Sequence, residues 1–249
     1  MSIIPRHIAA LSFAALLAGL PAAAAEFGVT PLRVDLDTAN RNGLLTVSNE
    51  GNTPLRVTVK LMKWTQSPTG EEAYVDRDAL LYFPRSLTID PMDKRVVRIG
   101  LKAPLTGKYD EQAYRLYLEE APSDDPGAVK GQVQFRFRFG IPIFVAPSDP
   151  RLDIVLESAS LQKGKLAVVV VNRGNETIRF DNFEASSPQD WTHSGSGLYH
   201  MPGTSRRYEV DIPADKCRQL RTIKVDLKGE KAKLAKELAV SAESCAAVK

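Results

Sequence analysis

Few residues in this chain are spaced for catalysis. His193 and His200 stand seven apart within the Ser/Gly-rich stretch 191–203. They could meet across a hairpin and hold a metal, but two imidazoles lack a third obvious ligand, so a solvated loop is the preferred reading and no metal is expected. Glu71-Glu72, Glu119-Glu120 and Asp124-Asp125 are adjacent carboxylates. Neighbours along a strand point to opposite faces, so these read as surface charge rather than as an acid–base pair. Neither a GxSxG nucleophile motif, an HExxH zinc motif nor a phosphate-binding glycine loop is present. The expectation is a protein that is not an enzyme and uses no cofactor.

The residues that do stand out are apolar and basic. In 132–145, the odd positions Val133, Phe135, Phe137, Phe139, Ile141 and Ile143 are apolar, while Gln132, Gln134, Arg136, Arg138, Gly140 and Pro142 alternate with them. Period-two alternation makes a strand with one apolar and one polar, basic face. Two readings follow. The ridge could fill its own sandwich core, or it could lie on an edge strand and enter another protein's unfinished core. Apolar edges are normally suppressed, so one that persists argues for a partner.

The elements around it are short strands separated by turn residues. Strands are expected over 29–37, 44–48, 55–64, 87–89, 95–101 and 114–120, with turns at 39–43, 49–54, 67–70 and 90–93. After the Pro-bounded hinge 147–150 the pattern restarts at 152–156, 165–172, 177–180, 208–212 and 222–227. Residues 228–238 have helical composition, though the following stretch could return as a strand. The reading is all-β: two sandwiches, residues 26–147 and 148–249, joined at a bend.

Residues 1–25 carry a basic start at Arg6 and His7, an apolar run and Ala23-Ala24-Ala25, the pattern of a cleavable export signal. No later stretch has the roughly 18 apolar residues of a membrane span. In an exported chain the only two cysteines, Cys217 and Cys245, would form one bridge, a free buried pair being the alternative. A net charge of +3 without a Lys/Arg-rich run argues against nucleic acid.

The mature chain resembles the periplasmic pilus-assembly chaperones of the PapD-like family. The resemblance rests on Thr30-Pro-Leu-Arg33, Val47-Ser-Asn-Glu-Gly51, Pro91 through Arg98-Ile99, 114–122 (YRLYLEEAP) and the Phe-rich strand ending Ile141-Pro-Ile-Phe144. It implies two immunoglobulin-like domains set at an angle, a periplasmic location, and capping of pilus subunits before transfer to an outer-membrane usher. In that scheme Val133, Phe135, Phe137, Phe139 and Ile141 donate side chains to a groove in the subunit. The resemblance also implies a basic anchor for the subunit's terminal carboxylate. Arg33 matches the family arginine, but Pro142 stands where the family lysine is expected, as in the archaic or alternative branch. Arg115 and Arg98, expected on neighbouring strands, are therefore the further anchor candidates, each against the alternative of a solvated surface arginine. A pilus subunit or adhesin module of the same fold is the competing reading. An open edge would also make self-association of the free protein an option.

Overall fold

The computed structural model describes residues 27–76, 80–122, 136–196 and 198–245. The segment read as an export signal, and Val133 and Phe135 of the ridge, lie outside them. The first half comprises β1 (Phe27–Thr30), β2 (Val34–Leu36), β3 (Asn42–Asn49), β4 (Leu55–Gln66), β5 (Glu72–Asp76), β6 (Leu80–Phe83), β7 (Ser86–Ile89), β8 (Lys94–Leu101), β9 (Gln112–Glu120) and β10 (Arg138–Val145). One sheet runs β1-β3-β8-β6; the other runs β2-β10-β9-β4-β5, with β7 also on β4.

Alternation along these strands builds the core between the two sheets. Leu45 and Val47 of β3 and Val97 and Ile99 of β8 face Val57, Val59 and Leu61 of β4 and Leu116 and Leu118 of β9, all fully or nearly fully buried. Burying each such side chain contributes about 1.5–3 kcal/mol.

Residues 29–37 form two strands rather than one. β1 pairs antiparallel with β3, whereas β2 pairs parallel with β10 in the opposite sheet. Pro31, after a cis peptide, has no N–H for the ladder, and there the chain crosses between sheets. Asn49 of the Val47–Gly51 motif is buried and donates its amide to the carbonyls of Thr53 and Ile89, at 2.8 and 3.0 Å. It thereby ties the 50–54 turn to β7.

The second half comprises β11 (Ile154–Gln162), β12 (Lys165–Asn172), β13 (Ile178–Arg179), β14 (Asn182–Ser187), β15 (Trp191–Ser196), β16 (Tyr199–His200), β17 (Ser205–Asp211), the short helix α1 (Ala214–Cys217), β18 (Thr222–Lys228), β19 (Lys233–Ala239) and a 3₁₀ turn at Glu243–Cys245. Its sheets run β11-β12-β17 and β15-β14-β18-β19, with β13-β16 as a separate pair. A second core of Val168, Val170, Phe180, Phe183, Val225 and Leu227 lies between them. The protein is thus all-β, two immunoglobulin-like sandwiches in sequence.

For this half one open reading is resolved and one expectation is corrected. The segment 228–238 is largely strand, because β19 pairs along β18 and sets Leu234 and Leu238 against the core. The stretch 191–203 is not a solvated loop, since it holds β15 and β16. His200 is fully buried, with its Nε2 2.8 Å from the Tyr208 hydroxyl, while His193 is exposed on β15 in another sheet. The two imidazoles therefore do not form a pair. Cys217 is bonded to Cys245 with the Cα atoms 5.7 Å apart, closing the 3₁₀ turn onto α1. No helix among the described residues is long and apolar enough to cross a membrane.

Candidate functional site: an open strand edge beside an arginine cleft

β10 pairs with β9 along its whole length, from Arg138 opposite Glu119 to Val145 opposite Gln112, and the ladder continues through Pro142 opposite Arg115. On its other side, β2 covers only Ile143, Phe144 and Val145. Among the described residues, positions 138–142 therefore pair with a strand on one side alone. Unpaired main-chain groups along such an edge can accept another strand.

The apolar ridge is split by this arrangement. Ile141 and Ile143 face Leu116 and Tyr114 across the ladder and are 0% exposed, inside the chain's own core. Ile141, expected as a donor residue, lies inside this chain's own core in this form. Phe139 is 38% exposed. Phe137 is half-buried beneath Phe27, the ring centroids 3.7 Å apart, and Phe27 also meets Phe139 edge-on at 6.1 Å. On the polar face, Arg138 pairs with Glu119 at 2.7 Å and lies 4.0 Å over the Tyr117 ring.

Next to this edge, the two sandwiches meet around Trp64, Ala113 and Phe144 of the first and Met201 of the second, with Tyr74 and Tyr199 packed against them. Gln66 fastens the joint. Its amide donates to the Tyr199 carbonyl at 3.0 Å, and its oxygen accepts from the Met201 N–H, also at 3.0 Å. Glu111 accepts from the Thr177 N–H at 2.9 Å, and burial at the joint pushes its carboxyl above the ordinary value.

Two of the three anchor candidates reach this cluster. Arg33, between β1 and β2, stacks over Phe144 at 4.5 Å and pairs with Asp35 at 2.7 Å. Burial opposes its charge, but the hydrogen bond and charge of Asp35 outweigh that and raise its pKa further. Arg115, on β9, lies 3.9 Å over the Trp64 ring and 5.4 Å from Tyr199, and donates to the Gly140 carbonyl at 3.3 Å. Among the described residues it has no carboxylate within ion-pair distance.

Arg98 is in a different place. The expectation that it lies on a strand beside Arg115 is corrected, because β8 and β9 are consecutive in sequence but belong to opposite sheets. Arg98 projects from the exposed face of β8, opposite Leu44 and Phe83. The aromatic floor of Trp64, Phe144 and Tyr199 was not singled out from the sequence. Phe144 stood inside a noted motif, but nothing local marks Tyr199, which approaches the site from 84 residues further along the chain than Arg115.

These observations define a class of all-β protein: two immunoglobulin-like sandwiches with a half-paired strand edge beside a basic joint. The family described as "Pili and flagellar-assembly chaperone, PapD N-terminal domain" matches residues 26–150. The chain belongs to this family of pilus and flagellar-assembly chaperones. Its fold is similar to that of the chaperone–tip subunit complex CsuC–CsuE from the archaic chaperone-usher Csu pili of Acinetobacter baumannii, at 18% identity and TM-score 0.59 over 85% of this chain and 97% of that one. The YadV chaperone is similar at 15% identity and TM-score 0.58, covering 86% and 99% of the two chains. The Pseudomonas aeruginosa CupB2 chaperone is similar at 17% identity and TM-score 0.51, covering 85% and 100%. No curated protein is a match by sequence.

Proposed function

We propose that this protein is a non-enzymatic periplasmic chaperone, of the archaic or alternative branch, that caps pilus subunits by strand donation and passes them to an outer-membrane usher. The observation that carries the reading is the half-paired edge of β10, with Phe139 exposed on it, beside Arg115, which among the described residues has no carboxylate within ion-pair distance. Main-chain pairing along 138–142 would add a strand to an incomplete subunit, and the ridge at Val133, Phe135, Phe137 and Phe139 would supply the side chains the subunit lacks. Arg115, rather than the Asp35-paired Arg33, would hold the subunit's terminal carboxylate through charge-assisted hydrogen bonds. Arg33 would act as the second cation. Pro142, opposite Arg115, cannot take that part, so the anchor on this chain would come from β9.

The test is co-expression with candidate secreted pilus subunits from the same genome, followed by pull-down. Phe139→Glu and Arg115→Ala should each lower recovery of the complex at least tenfold with little change in the melting temperature of the free chaperone. Arg98→Ala should leave recovery at the wild-type level. Wild-type recovery with both Phe139→Glu and Arg115→Ala would defeat the reading.

A further inference from the structure

The short pair β13–β16 belongs to the second sandwich, yet one of its faces looks into the first. Ile178 and His200 point inward and are 0% exposed. Their neighbours Arg179 and Tyr199, directly opposite each other across the ladder, must take the other face. Tyr199 meets Trp64 edge-on at 4.9 Å and Phe144 at 6.0 Å, both residues of the first sandwich. The guanidinium carbons of Arg115 and Arg179, from different sandwiches, lie 5.4 and 5.6 Å from the centroid of this one ring.

Tyr199 is also held firmly. Its carbonyl accepts from Gln66 at 3.0 Å and from Arg206 at 2.9 Å, and Arg206 pairs in turn with Glu72 at 3.7 Å. The ring is therefore fixed relative to the first sandwich before any ligand arrives, which lowers the cost of binding. The groups gathered here are mostly hydrogen-bond donors. Two guanidinium groups approach the ring of one phenol, and among the described residues the buried Trp64 indole N–H has no acceptor. Among the described residues Arg179 has only the exposed Asp181 as a partner, at 3.4 Å. Such an exposed pair is worth little and yields readily to a better acceptor.

We propose that Arg179 and Tyr199 form the second wall of the carboxylate site, so that a main-chain terminal carboxylate is held across the joint between the two sandwiches. This rests on the reading of Arg115 and Arg33 as the first wall. Bidentate capture by Arg115, with Arg179 and the Tyr199 hydroxyl closing the other side, would make each sandwich stabilise the other's grip on the ligand.

Sodium acetate is the probe, titrated into the mature protein at ionic strength held constant with sodium chloride, with acetamide as the uncharged control. The readout is the arginine side-chain Nε–Hε NMR signals, assigned by single Arg→Lys substitutions. Saturable shifts are expected at Arg115, Arg33 and Arg179 with acetate only, exceeding those of the exposed Arg98. Arg115→Ala should weaken the acetate response at Arg179, and Tyr199→Phe should weaken it at Arg115 by roughly three- to tenfold, the worth of one hydrogen bond. If Arg115 and Arg33 respond while Arg179 only tracks Arg98, the second wall is refuted and the first-wall reading stands. If no arginine exceeds Arg98, both are refuted.

Discussion

The ring of Phe27 lies against that of Phe137 at a centroid distance of 3.7 Å and an interplanar angle of 15°. The first described strand thus covers part of the ridge on which the proposed function depends. An aromatic pair of this kind contributes about 0.5–1.5 kcal/mol beyond its burial. Phe27→Ala should therefore lower the melting temperature by only a few degrees while raising the fluorescence of an apolar dye. An unchanged dye signal would show that Phe27 shields nothing.

The buried and exposed parts of the ridge should respond in opposite ways to truncation. Ile141→Ala empties a site that is 0% exposed and should cost about 2–5 kcal/mol in denaturant unfolding. Phe139→Ala removes a ring that is 38% exposed and should cost about 1 kcal/mol or less. Equal losses at the two positions would contradict this division.

Reducing the Cys217–Cys245 bridge frees a 28-residue span that ends in the second core. The Cys217→Ser/Cys245→Ser variant should lose about 2–5 kcal/mol, with the loss read by Trp191, which packs on that core, before Trp64 at the joint. Trp64 can be isolated in a Trp191→Phe background. Simultaneous and equal loss at both reporters would mean that the two sandwiches unfold as one unit.

Burial lowers the pKa of His200 to about 4, with the nearby Arg206 charge adding to the effect. An unfolded histidine takes up its proton near pH 6.5, whereas the folded one resists until about 4. The unfolded state therefore binds more protons throughout that window. The His200 contribution is fully present above pH 6.5 and falls away towards pH 4, by roughly 2–3 kcal/mol. Chemical denaturation at pH 7 and pH 4.5 should show a larger difference for the wild type than for His200→Asn. An equal difference would remove His200 as the cause.

Much of the architecture was legible because it is local. Alternation at Val57, Val59 and Leu61, or at Leu116 and Leu118, repeats every two residues, and that period is enough to say strand and which face is buried. Turn residues such as those at 49–54 mark where strands stop, and the all-β, two-sandwich reading follows. Helical composition left 228–238 ambiguous, and there pairing with β18 overrides propensity.

What the sequence by itself determined is the existence of an apolar ridge at 132–145 and of arginines at positions 33, 98 and 115. Alternation cannot say whose core the ridge fills, because own and foreign cores demand the same pattern. Only the register with β9 and the short reach of β2 put Ile141 inside this chain's own core and leave Phe139 partly exposed. Strand order likewise separated the arginines: β8 and β9 are successive in the chain yet lie in opposite sheets, so Arg98 is parted from Arg115. Tyr199 comes to Arg115 by the docking of two separate sandwiches, a long-range contact that no local period records.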